Sequence, residues 1–368
     1  MEIHHFIYHL GTGGAEYVAV NLALHQSTTG HNVTLWTMGR PPGDSQAHEL
    51  MNKHTSLLMK GGVAIRSLPH GQRSIIRNGR HLRKFFRQNL SNEIIFHAHS
   101  PVSAAVVAIA NQGFRVLSLH STRFNFPLSW MRLVLPRIDL VIAGSESVGK
   151  SLSQALNRSI NVVPYGVHES MGSKLDRKDE APNLIRLVFI GRLEPQKNPR
   201  RLIEALALAR QSVGCRHRPI RVEMVGDGPL RHELESLCSA TGLSDIVEFR
   251  GNIVDLDAFF LNADYLVMSS DFEGLPIVLL RALIDGLPTI LTPFPAAIEV
   301  TQEFSGGIVA SDFSNEALSQ VLVEVFNDLI LCNHFRSQLA YSKVEIRNRY
   351  SIPSMAEKYD KLYCEMIY

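Results

Sequence analysis

Short apolar runs of strand length alternate with helix-length amphipathic stretches along the chain, and this alternation constrains the fold more than any other feature. In the first half "IHHFIYHL", "NVTLWTM", "VAIRSL", "EIIFHAHS", "FRVLSLH", "DLVIAGS" and "INVVPYG" read as strands, and "GAEYVAVNLALHQSTTG" as a helix ending at Gly30. A charged, aperiodic segment, "ESMGSKLDRKDEAPN", reads as a linker. A second series follows, with strands at "IRLVFIGRL", "IRVEMVGDGP", "IVEFRG", "YLVMSS", "LPTILTP" and "GGIVA". Strands alternating with helices imply a mostly parallel sheet covered on both faces. The expectation is therefore two doubly wound, Rossmann-like α/β domains, over 1–168 and 185–349, joined by a linker at 169–184. Residues 350–368 form a last helix whose stripe of Met355, Tyr359, Leu362 and Tyr363 suits packing back across the domain boundary. Such sheets bind ligands at the carboxyl ends of their strands, so two halves facing each other would hold a ligand in the cleft.

At 368 residues, 45% hydrophobic and 20% charged, the composition is that of a soluble globular protein of two domains. No apolar run reaches the roughly 18 residues of a membrane span. The start, "MEIHHFIYHLGTGGAE", lacks a basic leader and a small-residue cleavage site, so a cytoplasmic location is expected. Four scattered cysteines with no CxxC pair argue against a zinc ribbon or a disulfide scaffold. The net charge of +2 is unevenly spread: Arg66 to Asn92 contains no acid, while Arg73, Arg77, Arg80, Arg83, Lys84 and Arg87 accumulate there. Apolar residues interleave with these cations, the pattern of a basic amphipathic helix. Two readings stay open: an anionic membrane surface or phosphate-rich partner, and a solvated helix packed on its own domain. No nucleic-acid partner is expected.

Four stretches compete as phosphate sites. "GSESVGKS", Gly144 to Ser151, satisfies the Walker A spacing but has no strand-end Asp nearby to hold a metal, so a helix start capped by Ser145 or Ser147 is the favoured reading. "GTGGAE" offers Gly13 and Gly14 in a strand-to-helix turn, with Glu16 where a dinucleotide fingerprint needs its third glycine. "GRLEPQKN" places Arg192 and Lys197 between a buried-type strand and a helix beginning near Pro199, where two cations suit a diphosphate. "SSDFEGLPIVLLRALIDGLPTI" sets Glu273 before a helix whose first N–H groups, with those of Leu275, Ile277 and Val278, suit an anion. Helix capping is the plainer role for Glu273. His97 and His99 in "HAH" form a strand-end pair with no third ligand in view, and "DLD" (Asp255, Asp257) falls at an expected helix start, where acids cap.

Taken together, "GTGGAE … LHS … VVPYGV … GRLEPQKN … VGDGP … FEGLPIVLLRALIDGLP" resembles the retaining GT-B glycosyltransferases of family 4, in the right order over nearly the whole chain. The resemblance implies that Glu273 holds hydroxyls of the donor sugar and that Arg192 and Lys197 clamp the donor diphosphate. It implies that His120 lies beside the transferred sugar and that Gly13 and Gly14 lie near the donor phosphates and acceptor. One position departs: where the family commonly has a second acid reaching the ribose, this chain has Arg281, which accepts no hydrogen bond. Asn and Asp are also common where Tyr165 and His168 stand.

The resemblance implies retaining, metal-independent transfer of a hexose or N-acetylhexosamine from a nucleotide diphosphate sugar, UDP favoured, with no other cofactor. The expected acceptor is a lipid-linked glycan in cell-surface polysaccharide synthesis, met at the inner face of the membrane through the basic helix. The alternatives are a non-catalytic GT-B subunit and a P-loop NTPase acting through Gly144–Ser151.

Overall fold

The computed structural model describes residues 1–11, 13–39, 45–71, 74–87, 93–110, 113–121, 128–171, 184–212, 219–328 and 330–368. Arg73, Cys215 and most of the expected linker lie outside the described residues. The chain divides into two compact units: unit 1 is Met1–Gly166 with Arg349–Tyr368, and unit 2 is Val167–Asn348.

Unit 1 contains β1 (Glu2–Ile7), β2 (Asn32–Thr37), β3 (Ala64–Ser67), β4 (Ile94–Ala98), β5 (Phe114–Leu119), β6 (Leu140–Ala143) and β7 (Asn161–Val162). Its crossover helices are α1 (Gly14–Thr28), α2 (Ser45–Lys60), α3 (Ile75–Phe86), α4 (Pro101–Ala110), α5 (Leu128–Val134) and α6 (Glu146–Leu156). The sheet order is β3-β2-β1-β4-β5-β6-β7, with parallel pairing throughout. Unit 2 contains β8 (Ile185–Ile190), β9 (Ile220–Val225), β10 (Val247–Gly251), β11 (Tyr265–Met268), β12 (Thr289–Leu291) and β13 (Gly307–Val309). Its sheet order is β10-β9-β8-β11-β12-β13, again all parallel. The remaining helices are α7 (Pro199–Gln211), α8 (Arg231–Ala240), α9 (Asp257–Asn262), α10 (Ile277–Ile284), α11 (Pro295–Phe304), α12 (Asn315–Asn327), α13 (Leu331–Tyr341), α14 (Lys343–Tyr350) and α15 (Ile352–Ile367).

Each expected strand forms; the central strands are buried on both faces and read as continuous apolar runs, while the edge strand β3 is largely exposed. In each unit the strand order reverses once, at β1/β4 and at β8/β11. The carboxyl ends at those two points diverge and leave room for a ligand. The loops there are the Gly13–Gly14 turn and His99 in unit 1, and "GRLEPQKN" and "SSDFEGLP" in unit 2.

The C-terminal helix α15 belongs to unit 1, burying Met355, Tyr359 and Tyr363 there. Helix α4 is apolar nearly all round and buried, flanked by α3 and α5. Gly79 lets α3 approach it, since a Cβ there would fall 2.5 Å from the Ile109 Cβ.

The Walker-like stretch is helical. Ser145 caps α6 by accepting from the Val148 N–H, and the Gly149 N–H bonds the Ser145 carbonyl at 2.9 Å. Gly149, Lys150 and Ser151 therefore lie inside a helix with their amides committed, which rules out a phosphate loop. The "DLD" acids lie at the start of α9 as expected: Asp255 Oδ1 accepts from the Asp257 N–H at 3.1 Å, while the Asp257 carboxylate pairs with Arg281.

Candidate functional site

In unit 2 the loop after β8 turns through a short helical turn, Pro195–Lys197, which Asn198 ends in the left-handed region at φ 42°. Asn198 also caps α7, accepting from the Arg201 N–H at 3.2 Å. Gly226, at φ 132°, keeps the turn after β9 close to this loop: a Cβ there would lie 2.0 Å from the Gly191 carbonyl oxygen. Only glycine fits.

The loop after β11 is tied to the same place. Ser269 Oγ donates to the Asn198 carbonyl at 2.8 Å, and the Asp271 N–H to the Gln196 carbonyl at 3.0 Å. The buried Arg201 guanidinium donates to the Ser269 carbonyl at 2.7 Å and pairs with Asp271 at 2.7 Å. Sequence reasoning missed Arg201. A signal was present: a cation in the first turn of a helix opposes the helix dipole and needs an anionic partner.

These ties bring Lys197 and Glu273 together. Lys197 Nζ donates to Glu273 Oε1 at 2.6 Å, and Ser270 Oγ donates to the same oxygen at 2.7 Å. The Glu273 side chain is only 7% exposed. Glu273 is not a helix cap, since α10 has no side-chain cap and its first turn follows Pro276. The first intrahelical bond of that helix runs from the Leu280 N–H to the Pro276 carbonyl, at 3.2 Å, so the amides of Ile277 and Val278 precede the ladder. Leu275 beside them is buried. Arg192 stands apart, 67% exposed and paired with Glu194 at 3.2 Å.

Arg281 is engaged within unit 2. It donates to Asp257 Oδ1 at 2.5 Å, Asp285 Oδ2 at 2.9 Å and Ser170 Oγ at 2.6 Å. Asp285 also accepts from the Ser170 N–H and hydroxyl, and Asp257 from the Met171 N–H. An Arg held by two carboxylates is a structural cation rather than a spare one.

In unit 1, His120 follows β5 with Nδ1 2.8 Å from the Tyr165 hydroxyl. Its Nε2 is buried with no hydrogen-bond partner among the described residues. Burial lowers its pKa to about 4, so the ring is neutral. His99 stacks on it, centroids 5.6 Å apart. Gly13 precedes α1 and is exposed, as is Gly14. Nearby, burial raises the Glu16 carboxyl to about 7.

The histidine pair gains a third member, His5, which lies opposite His97 in the β1–β4 register. Ligand atoms of His5, His97 and His99 lie within 4.8 Å of one another, correcting the reading that no third ligand is in view. Their ring nitrogens are largely committed. Gln26 donates its amide to Asp360 at 2.7 Å and so turns its carbonyl to His5 Nε2 at 2.8 Å. His5 is thereby protonated on Nε2 and accepts at Nδ1 from His99 Nε2 at 3.1 Å. His97 reaches Ser118 and Tyr363, each at 2.7 Å. The arrangement fits a hydrogen-bonded stack of neutral rings, with Asp360 and Tyr363 supplied by α15.

The expected basic helix is α3. Leu82 and Phe86 are buried while Arg77, Arg80, Arg83, Lys84 and Arg87 are exposed, so the apolar side packs inward and the cations face solvent.

Comparison with known proteins agrees with these features. Residues 12–170 match the model of Glycosyltransferase Family 4, and residues 173–340 that of Glycosyl transferases group 1. The chain is 27% identical over 375 residues to the Campylobacter jejuni GalNAc-alpha-(1->4)-GalNAc-alpha-(1->3)-diNAcBac-PP-undecaprenol alpha-1,4-N-acetyl-D-galactosaminyltransferase, covering 100% of this chain and 99% of that one. It is 24% identical to the putative glycosyltransferase EpsF of Bacillus subtilis, covering 83% of this chain and 81% of that one. The crystal structure of Anabaena HepE in complex with UDP and glucose superposes with a TM-score of 0.79 at 18% identity, covering 99% of this chain and 100% of that one.

Proposed function

Because the chain belongs to the group 1 glycosyltransferases and has the GT-B fold, we propose that it moves a hexose or N-acetylhexosamine from a nucleotide diphosphate sugar, UDP favoured, to a lipid-linked glycan with retention of configuration. The observation that carries this reading is the Lys197–Glu273 pair beside the start of α10, at the switch point of unit 2. The fold neighbour with UDP and glucose, and the relative whose name includes an undecaprenol-linked glycan, support the choice of donor and acceptor.

In this reading Glu273 accepts hydrogen bonds from hydroxyls of the donor sugar through the oxygen that Lys197 leaves open. Lys197, Arg192 and the amides of Leu275, Ile277 and Val278 meet the diphosphate and stabilise the charge that grows as the glycosidic bond breaks. The compensating positive charge is supplied by the chain's own cations and N–H groups, so the reading needs no metal. The leaving diphosphate takes the proton of the acceptor hydroxyl. His120, being neutral, offers the sugar a hydrogen bond at Nε2 rather than a charge, and Gly13 and Gly14 let backbone approach the phosphates. Among the described residues no helix is long and apolar enough to cross a membrane. The proposed attachment is peripheral, with the exposed cations of α3 on the anionic inner face.

Calorimetric titration with UDP, GDP and ATP, each with Mg²⁺ and with EDTA, tests the reading. UDP binding that persists in EDTA and is lost in Lys197→Ala is expected. ATP binding that requires Mg²⁺, with no response to UDP or GDP, would overturn it.

A further inference from the structure

We propose that Tyr165 is a positioning residue for sugar transfer: its hydroxyl donates to His120 Nδ1, which fixes the orientation of the ring and makes it an Nε2–H donor. This deepens the role given to His120 above and rests on that reading.

The argument is a count of protons. Burial lowers His120 to about 4 and pushes the Tyr165 hydroxyl well above the usual tyrosine value. Near neutral pH the ring therefore carries one proton and the phenol keeps its own. The phenol oxygen lies 2.8 Å from His120 Nδ1 and has no other hydrogen-bond partner among the described residues. His120 Nε2 is buried and has none. If Nδ1–H donated to the phenol, the hydroxyl proton and a bare Nε2 would both be left unmet. If the phenol donates to Nδ1, only Nε2–H is left over. One unmet buried group costs less than two, so the second arrangement wins. The leftover group is a donor, which suits a sugar oxygen.

The stacked neighbour does not set this tautomer. His99 is neutral and gives its one proton from Nε2 to His5, leaving Nδ1 bare and without a partner among the described residues. It has no second proton to offer His120.

The fold holds the phenol in place. Gly144, which follows β6, gives the ring room: a Cβ there would fall 2.2 Å from Tyr165 Cζ and 2.5 Å from its oxygen. The glycine that opens the Walker-like stretch thus admits an aromatic ring. Two ties flank Tyr165: the Val163 N–H donates to the Ala143 carbonyl at 2.9 Å, and the Gly166 N–H to Met355 Sδ of α15 at 3.1 Å. Tyr165 itself is 4% exposed, so close packing leaves the ring little freedom to aim its hydroxyl elsewhere.

Two measurements on the full chain test the proposal. Nitrogen–proton correlation spectra of isotope-labelled histidine rings near neutral pH read the tautomer, the His120 signals being those lost in His120→Gln. Expected are a protonated Nε2 and a bare Nδ1, with protonation at Nδ1 appearing in Tyr165→Phe. The second measurement is UDP release from UDP-glucose or UDP-N-acetylgalactosamine, whichever the wild type turns over, with water as acceptor. In Tyr165→Phe kcat is expected to fall by about fivefold or more while the donor KM stays within about threefold. UDP affinity by calorimetry, which involves no sugar, is expected to stay unchanged. A merely structural role would lower UDP affinity and kcat together, and that result would overturn the proposal. So would an unchanged kcat, or a wild-type His120 protonated on Nδ1. The spectra need no donor, so they decide the tautomer even if the wild type releases no UDP, a result that would count against the proposed function instead.

Discussion

Lys197 and Glu273 are 76 positions apart in sequence and 2.6 Å apart in space, sharing Glu273 Oε1 with the Ser270 hydroxyl. The ammonium is 22% exposed and the carboxylate 7%, so the pair is partly screened from water and each charge depends on the other. Among the described residues it is also where a predicted phosphate-binding cation touches the predicted sugar-binding acid.

Glu273→Gln keeps the side-chain shape, removes the charge and leaves Lys197 facing an amide. The expected result is a fall in kcat/KM of about a hundredfold or more, with a denaturation midpoint lowered only modestly. Initial rates at varied donor concentration check this, and unimpaired turnover would remove Glu273 from the site. Lys197→Ala is expected to weaken UDP binding as well, because it removes the cation and frees a buried carboxylate near the phosphates.

Arg281 answers a different question. With Asp285 1% exposed and Asp257 27% exposed, Arg281→Ala leaves one buried and one partly buried carboxylate without their cation. A loss of about 3 kcal/mol in unfolding free energy is expected, measured by urea titration. Arg281→Glu restores the acid common in the family but sets it against two others. It is expected to unfold unit 2 at lower urea still, rather than tighten UDP binding.

Lys150→Ala is expected to leave transfer and stability nearly unchanged, because Lys150 is exposed within α6 and no phosphate loop forms around it. A loss of more than about tenfold in transfer would contradict this placement.

Tyr363→Phe tests how α15 is held. The hydroxyl meets His97 Nδ1 at 2.7 Å, and both residues are fully buried. Deleting it leaves a buried ring nitrogen unsatisfied, at an expected cost of about 1–3 kcal/mol in urea unfolding. A neutral result would show that His97 finds another partner.

Most of the thirteen strands among the described residues were legible because parallel strands buried on both faces need uninterrupted apolar runs, and the largely exposed edge strand β3 was legible from its place in the alternation. Lys197 and Glu273 were each legible as residues at strand ends beside helix starts, and the reversal of strand order at β8/β11 explains why the two loops meet. What the sequence hid are contacts that only register and packing create. His5 sits in an ordinary-looking "HHF", and pairing with β4 is what sets it opposite His97. Arg281 looked like a missing acid because its partners, Asp257 and Ser170, stand 24 and 111 positions away. Ser145 was readable as a cap because capping is local, and the same locality made "GSESVGKS" a false phosphate loop.

Acid should destabilise unit 1 before its ordinary carboxylates titrate. Burial lowers His4 to about 3 and His5 and His120 to about 4, and holds His97 and His99 well below the usual 6.5. Above pH 6.5 these rings are neutral in both states and contribute nothing to the pH dependence. Below it the unfolded chain takes up protons that the folded rings refuse, so stability falls by about 1.4 kcal/mol per pH unit for each such ring. Glu16 acts in the opposite direction: its folded carboxyl keeps a proton up to about pH 7, while the unfolded one releases it near 4.5. Stability from that group therefore rises as pH drops from 7 to 4.5, one carboxyl against five rings. The net expectation is a thermal midpoint that declines from pH 6.5 towards pH 5, and declines more steeply in Glu16→Gln. Circular dichroism melts at half-unit pH steps measure both slopes. A midpoint that holds constant or climbs towards pH 5 would mean that the histidine stack is protonated or open to water in the folded chain.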